Sequence, residues 1–253
     1  MYIKESSIDL KIIKKAYKEL KKLSNVDNFI FNGYPLYFSR YCGMESLSDP
    51  KKIISKAKKI DEVQLIGMGG SILGAKTIYN FLSHKIKKKF LFIDNITTGN
   101  FKISSKKKLN LVISKSGNTL ETITNANILI KKKDKNLFIT ENKKNYLTNL
   151  AKKLKADVVH HNDFIGGRYS VLSEVGMLPA ELMGLKINKF KKFNNLIKNK
   201  SFLNSLVLNV ANTLNLIKKK KFNSIILNYD SSANNLFLWY QQLIAESLGK
   251  KGK

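Results

Sequence analysis

From Glu62 onward the chain alternates short apolar runs with longer stretches of mixed character. Val63 to Ile66, Phe90 to Ile93, Leu111 to Ile113, Leu137 to Ile139 and Val158 to Val159 read as strands, and the segments after Ser71, Thr119 and Asn142 read as helices. Strands and helices alternating at this spacing predict an α/β fold: a doubly wound, mostly parallel sheet flanked by helices. Ligands of such sheets bind beyond the carboxyl ends of the strands, where the turns after Ile66 and Ile113 fall.

The flanks are helical in pattern. Ser7 suits the cap of a first helix whose apolar face is Ile12, Ile13, Ala16, Tyr17, Leu20 and Leu23. Phe29 to Gly43 is aromatic and irregular around Gly33 and Pro35, and Pro50 opens a lysine-rich helix reaching about Lys59. After His160 come the run Ile165 to Ser170, a helix near Ser173 to Gly184 that contains Pro179, and helical pattern over 188–220. A strand at Ser224 to Asn228 and a helix at Ala233 to Leu248 follow. The expected organisation is a helical lead-in over 1–60, an α/β domain over 61–186, and connecting helices with the start of a second α/β subdomain over 187–253. One strand and one helix do not make a sheet.

With 253 residues and 43% hydrophobic side chains, the chain can bury a substantial core. Its net charge of +28 points on its face to nucleic acid or an anionic membrane. The kind of base argues otherwise: Arg40 and Arg168 are the only arginines, and the lysines are scattered over helix faces and connectors. No nucleic-acid partner is expected. Cys42 is the only cysteine, which excludes a disulfide framework and a thiolate metal cluster and fits a reducing cytoplasm. No apolar run approaches a membrane span, and the N-terminus MYIKESSIDL lacks a signal-peptide core, so a soluble cytoplasmic protein with no membrane partner is expected.

The segment from Ser114 to Thr122, SKSGNTLET, brings hydroxyls, a glycine and a helix start to one point. Two readings fit it: an anion site built from first-turn N–H groups and hydroxyls, or an ordinary N-cap. The turn Gly67-Met68-Gly69-Gly70-Ser71 also follows a strand and opens a helix. Two nucleotide patterns fail there by one residue each. The dinucleotide fingerprint has Ile72 where its last glycine belongs, although Asp94 imitates the ribose-binding acid, and the triphosphate loop is broken by Ala75 between Gly74 and Lys76. A smaller phosphorylated ligand remains, with Ser71 donating alongside Ser114, Ser116 and Thr119; a glycine turn kept for packing fits equally well.

Arg168 places a planar, permanently charged group in a chain otherwise built with lysine, which suits a developing oxyanion, or else a plain ion pair. Glu246 shares a helix face with Gln242, four residues earlier, and a partly desolvated carboxylate can act as a general base; a solvated glutamate is the plain alternative. His84 lies in a lysine-rich connector, and the adjacent His160 and His161 would point to opposite faces of a strand, which is poor metal geometry.

Together these segments resemble the glucose-6-phosphate isomerase family, built from sugar-isomerase (SIS) domains. Four blocks carry the resemblance in order: IGMGGSILG (Ile66 to Gly74), ISKSGNTLET (Ile113 to Thr122), GGRYSVLSEVGMLP (Gly166 to Pro179) and WYQQLIAESLGK (Trp239 to Lys250). The first two are shared more widely, including by regulators that only bind sugar phosphates. The resemblance implies an aldose–ketose isomerase acting on glucose 6-phosphate and fructose 6-phosphate, with a non-catalytic sugar-phosphate-binding SIS module as the alternative. It implies substrate contacts from Gly70, Ser71, Ser114, Lys115, Ser116, Thr119 and Gln242, an arginine at Arg168 that stabilises the enediolate, and a base at Glu246. It further implies a homodimer and no metal or redox cofactor. The family's ring-opening histidine and a catalytic lysine belong beyond the block ending at Lys250, so the chain is expected to be an N-terminal portion of an isomerase or a truncated gene product.

Overall fold

The structure is a computed structural model that describes residues 59–96, 107–192, 199–221 and 223–249, with Lys18 and Ser55 besides. The expected N-terminal helix, the aromatic segment Phe29 to Gly43, the helix after Pro50, Arg40 and Cys42 lie outside the described residues. The chain divides into two compact units, Met1–Pro35 with Asn188–Leu227, and Leu36–Ile187 with Asn228–Lys253.

The second unit is built on five strands: β1 (Glu62–Gly67), β2 (Lys89–Ile93), β3 (Lys108–Ile113), β4 (Lys135–Glu141) and β5 (Asp157–His161). They pair in parallel in the order β2-β1-β3-β4-β5. The five strands expected between Val63 and Val159 are all present. Parallel pairing needs a crossover between successive strands, and the helices α1 (Leu73–Phe81), α2 (Leu120–Leu129) and α3 (Tyr146–Leu154) occupy the expected places. They are followed by α4 (Glu174–Leu182) and, after α5 (Lys200–Lys218) of the other unit, by α6 (Asn234–Leu248). Pro179 sits inside α4.

The register explains which residues meet. Ile66, Val112, Phe138 and Val158 stand side by side across β1, β3, β4 and β5, and they bury themselves against Ala126 and Leu129 of α2 and Leu147 and Ala151 of α3. Phe138 is fully buried, and a side chain of that kind contributes about 1.5–3 kcal/mol by leaving water. Alternate residues face the other side of the sheet. His161 is among them and meets Glu174 of α4, so the adjacent histidines do point to opposite faces.

One expected element is absent. Residues 224–228 form no strand, although the run Ser-Ile-Ile-Leu-Asn has the composition of one. A ladder needs a neighbour, and among the described residues none pairs with this segment; Ile225 is 85% exposed and Leu227 72%.

The strand order reverses at β1, between β2 and β3, and Gly67 at the end of β1 pairs with Ile113 at the end of β3. Such a switch point opens a crevice beyond the carboxyl ends. The two glycine- and serine-bearing turns leave the sheet there, from adjacent positions.

Candidate active site

The first turn is a 3-10 segment, Gly69–Ser71, in which Gly69 adopts φ +52, a conformation that glycine takes without steric cost. A side chain at Gly67 would lie 3.1 Å from the Ile113 carbonyl oxygen and 3.3 Å from the Ser71 Cβ. The missing side chain at Gly67 thereby leaves the end of β1 close to both Ser71 and the last residue of β3. A side chain at Gly70 would strike the Gly167 carbonyl and come within 2.9 Å of the Arg168 nitrogen, so this turn and the Gly166-Gly167-Arg168 turn meet through bare backbone. The Ser170 hydroxyl ties them by donating to the carbonyls of Gly70 at 3.1 Å and Gly167 at 2.6 Å.

The second turn settles how its hydroxyls are used. Thr119 stands at the N-cap of α2, yet its side chain makes no capping bond; its hydroxyl pairs instead with that of the buried Ser114 at 2.9 Å. The α2 start thus keeps donors that a capping side chain would have satisfied. Gly117 has φ +66 and packs against Asn145, which caps α3 by accepting from the Thr148 N–H. Ser116 is exposed and accepts from the Asn118 N–H at 3.2 Å. Lys115 points elsewhere: its ammonium donates to the carbonyls of Asp163 at 2.7 Å and Ile165 at 3.0 Å, and pairs with Glu141 at 3.4 Å.

Arg168, Gln242 and Glu246 come together. Arg168 Nη1 donates to Glu246 Oε2 at 3.3 Å and its Nε to the Ser247 hydroxyl at 3.1 Å, while Gln242 Nε2 holds the other Glu246 oxygen at 2.6 Å. The Gln242 amide also overlies Gly69: a side chain there would lie 3.0 Å from its Nε2. Gln242 Oε1 is buried, with no hydrogen-bond partner among the described residues. The guanidinium lies 4.7 Å from the centre of the Tyr169 ring. Bonding with Tyr169 foremost, and with Glu246, raises the already high pKa of Arg168, with burial opposing. It is a permanent cation beside a carboxylate.

Sequence reasoning missed Trp239, Tyr169 and Ser247. Trp239 Nε1 donates to the Arg168 carbonyl at 3.0 Å, and the Tyr169 and Ser247 hydroxyls bond at 3.1 Å. The signal for Trp239 was available, because 239, 242 and 246 recur at helical spacing on one face of α6. Among the described residues, no group of three or more His, Cys, Asp or Glu side chains could hold a metal ion, and no helix is long and apolar enough to cross a membrane.

The family model for phosphoglucose isomerase matches residues 49–253. The chain belongs to the phosphoglucose isomerase family. Among relatives, the glucose-6-phosphate isomerase of Methanocaldococcus jannaschii is 36% identical over 208 residues, which cover 75% of this chain and 51% of that one. That of Acholeplasma laidlawii is 31% identical over 238 residues, covering 83% and 55%. The chain therefore spans about half the length of these relatives. The fold is that of a glucose-6-phosphate isomerase crystal structure from Chlamydia trachomatis, with TM-score 0.63 and 23% identity over 79% of this chain and 43% of that one. A hypothetical protein from Thermus thermophilus gives TM-score 0.68 at 20% identity, covering 95% of this chain and 60% of its own.

Proposed function

We propose that this chain carries the proton-transfer pair and the phosphate-anchoring turns of an aldose–ketose isomerase that interconverts glucose 6-phosphate and fructose 6-phosphate. The observation that carries the reading is the 3.3 Å contact between Arg168 and Glu246 beside the Gly69–Ser71 turn. In the open-chain sugar the proton next to the carbonyl is weakly acidic. Glu246 takes it from one carbon and returns it to the neighbour, while Arg168 stabilises the enediolate oxygens. Gln242 fixes the carboxylate, and its unpartnered Oε1 can accept a sugar hydroxyl. Ser71, Ser114, Ser116, Thr119 and the α2 start receive the phosphate.

In this reading residues 187–253 are connecting helices and the start of a second SIS-like domain, and the complete protein works as a cytoplasmic homodimer. Incubating the full-length protein with fructose 6-phosphate in deuterated water is expected to place deuterium at C2 of glucose 6-phosphate. A folded protein that exchanges nothing ends the proposal. Glu246→Gln is expected to abolish exchange while keeping sugar-phosphate binding, whereas a binding-only module would show no turnover before or after the change.

A further inference from the structure

A buried pair of side chains lies beside the Ile165 carbonyl, and the chemistry above does not use it. The side chains of His161 and Glu174 are 1% and 0% exposed, and Nδ1 and Oε1 stand 2.5 Å apart. Two lone pairs cannot face each other at that distance, so a proton lies between them. The same Glu174 oxygen accepts from the Asn162 N–H at 3.0 Å. The far nitrogen of the ring, Nε2, lies 3.0 Å from the Ile165 carbonyl, which can only accept.

The Ile165 oxygen is thus gripped twice: by His161 from β5, and at 3.0 Å by Lys115, which belongs to the Ser114 turn. Lys115 also holds the Asp163 carbonyl, and Lys143 pairs with Asp163 at 3.2 Å. Ile165 immediately precedes the Gly166-Gly167-Arg168 turn. From the phosphate turn to Arg168 there runs a short chain of bonds through one backbone oxygen.

We infer that His161, held in place by Glu174, is a positioning residue for Arg168: with Lys115 it clamps the Ile165 carbonyl so that the phosphate turn and the arginine turn keep one fixed relation. This rests on the isomerase reading for its kinetic consequence, but the clamp itself has an independent reporter. Trp239 is the only tryptophan, and its indole N–H donates to the Arg168 carbonyl.

Three variants test the clamp. Glu174→Gln keeps the shape and replaces the carboxyl group by an amide. One contact is then lost in any arrangement, because a neutral ring has a single N–H and the amide cannot both accept from Asn162 and donate to Nδ1 through the same atom. His161→Leu removes the ring, and Lys115→Met removes the other grip. In the full chain, all three are expected to shift the single indole N–H resonance in the NMR spectrum. Each is expected to lower the exchange rate at saturating fructose 6-phosphate by roughly tenfold to a hundredfold, with KM changing less than about twofold for Glu174→Gln and His161→Leu. The Lys115→Met/His161→Leu pair should lose less than the product of the single losses, since both act on one oxygen.

An unmoved indole resonance in folded Glu174→Gln and Lys115→Met overturns the clamp, as does strict multiplicativity of the pair. If the unaltered full-length protein exchanges nothing, the isomerase reading fails, and the indole shifts alone decide the clamp.

Discussion

Gly70 and Gly167 meet main chain to main chain, with no room for even a methyl group between them. Gly70→Ala must therefore part the turn that carries Ser71 from the turn that carries Arg168. The expected outcome is a loss of exchange of about a hundredfold or more, the scale of misplacing catalytic groups by an ångström, with the far-UV circular dichroism retained. Gly184→Ala is the control: its φ of +84 carries strain, but a side chain there meets nothing within 4 Å. It should cost about 1–2 kcal/mol of stability and leave exchange intact.

Gly117→Ala should be worse than Gly184→Ala. Both residues have positive φ, but a side chain at Gly117 would also strike the Asn145 carboxamide that caps α3. Losing the cap adds about 1 kcal/mol to the strain. Urea denaturation of the two variants side by side measures the difference, and equal destabilisation would contradict the contact.

Trp239→Phe removes the donor to the Arg168 carbonyl while nearly keeping the apolar bulk. Loss of one hydrogen bond to a part-buried acceptor costs about 1–3 kcal/mol. The proton-exchange rate should fall with little change in phosphate affinity, measured by isothermal titration with fructose 6-phosphate; a fall in affinity alone would place the indole elsewhere in the mechanism.

His160 gives the fold an acid limit. Burial lowers its pKa from 6.5, against an opposing hydrogen bond with the Thr140 backbone. In the window between the lowered folded value and the unfolded value near 6.5, the unfolded chain binds more protons. Stability therefore rises with pH through that window and falls as pH drops through it, by at most about 1.4 kcal/mol per pH unit from this group, and the contribution levels off below the folded value. His160→Gln should flatten that part of the dependence, seen by urea denaturation at about pH 7.5 and pH 5.5; an unchanged slope refutes the assignment.

Much of the fold was legible because buried parallel strands are written as short apolar runs, and Val63 to Ile66 or Leu137 to Ile139 have no other reading in an alternating pattern. Ser224 to Asn228 has the same lettering and fails as a strand, since pairing is a property of two segments and the sequence of one does not contain its neighbour. The turns were legible as places. Their wiring was not: whether Thr119 caps α2 or faces Ser114, and that Lys115 reaches the carbonyls of Asp163 and Ile165, depend on atoms far apart in the chain. The pairing of His161 with Glu174 escaped notice for the same reason, each being ordinary until the other stands against it.

The contact between Gly70 and Gly167 also bears on entropy. Glycine loses more conformational freedom on folding than any other residue, so the cost of fixing this crossing falls when the chain folds. Backbone has no rotamers left to freeze. A ligand arriving at these turns would meet donors whose disorder has already been removed, and more of its contact energy would survive as affinity.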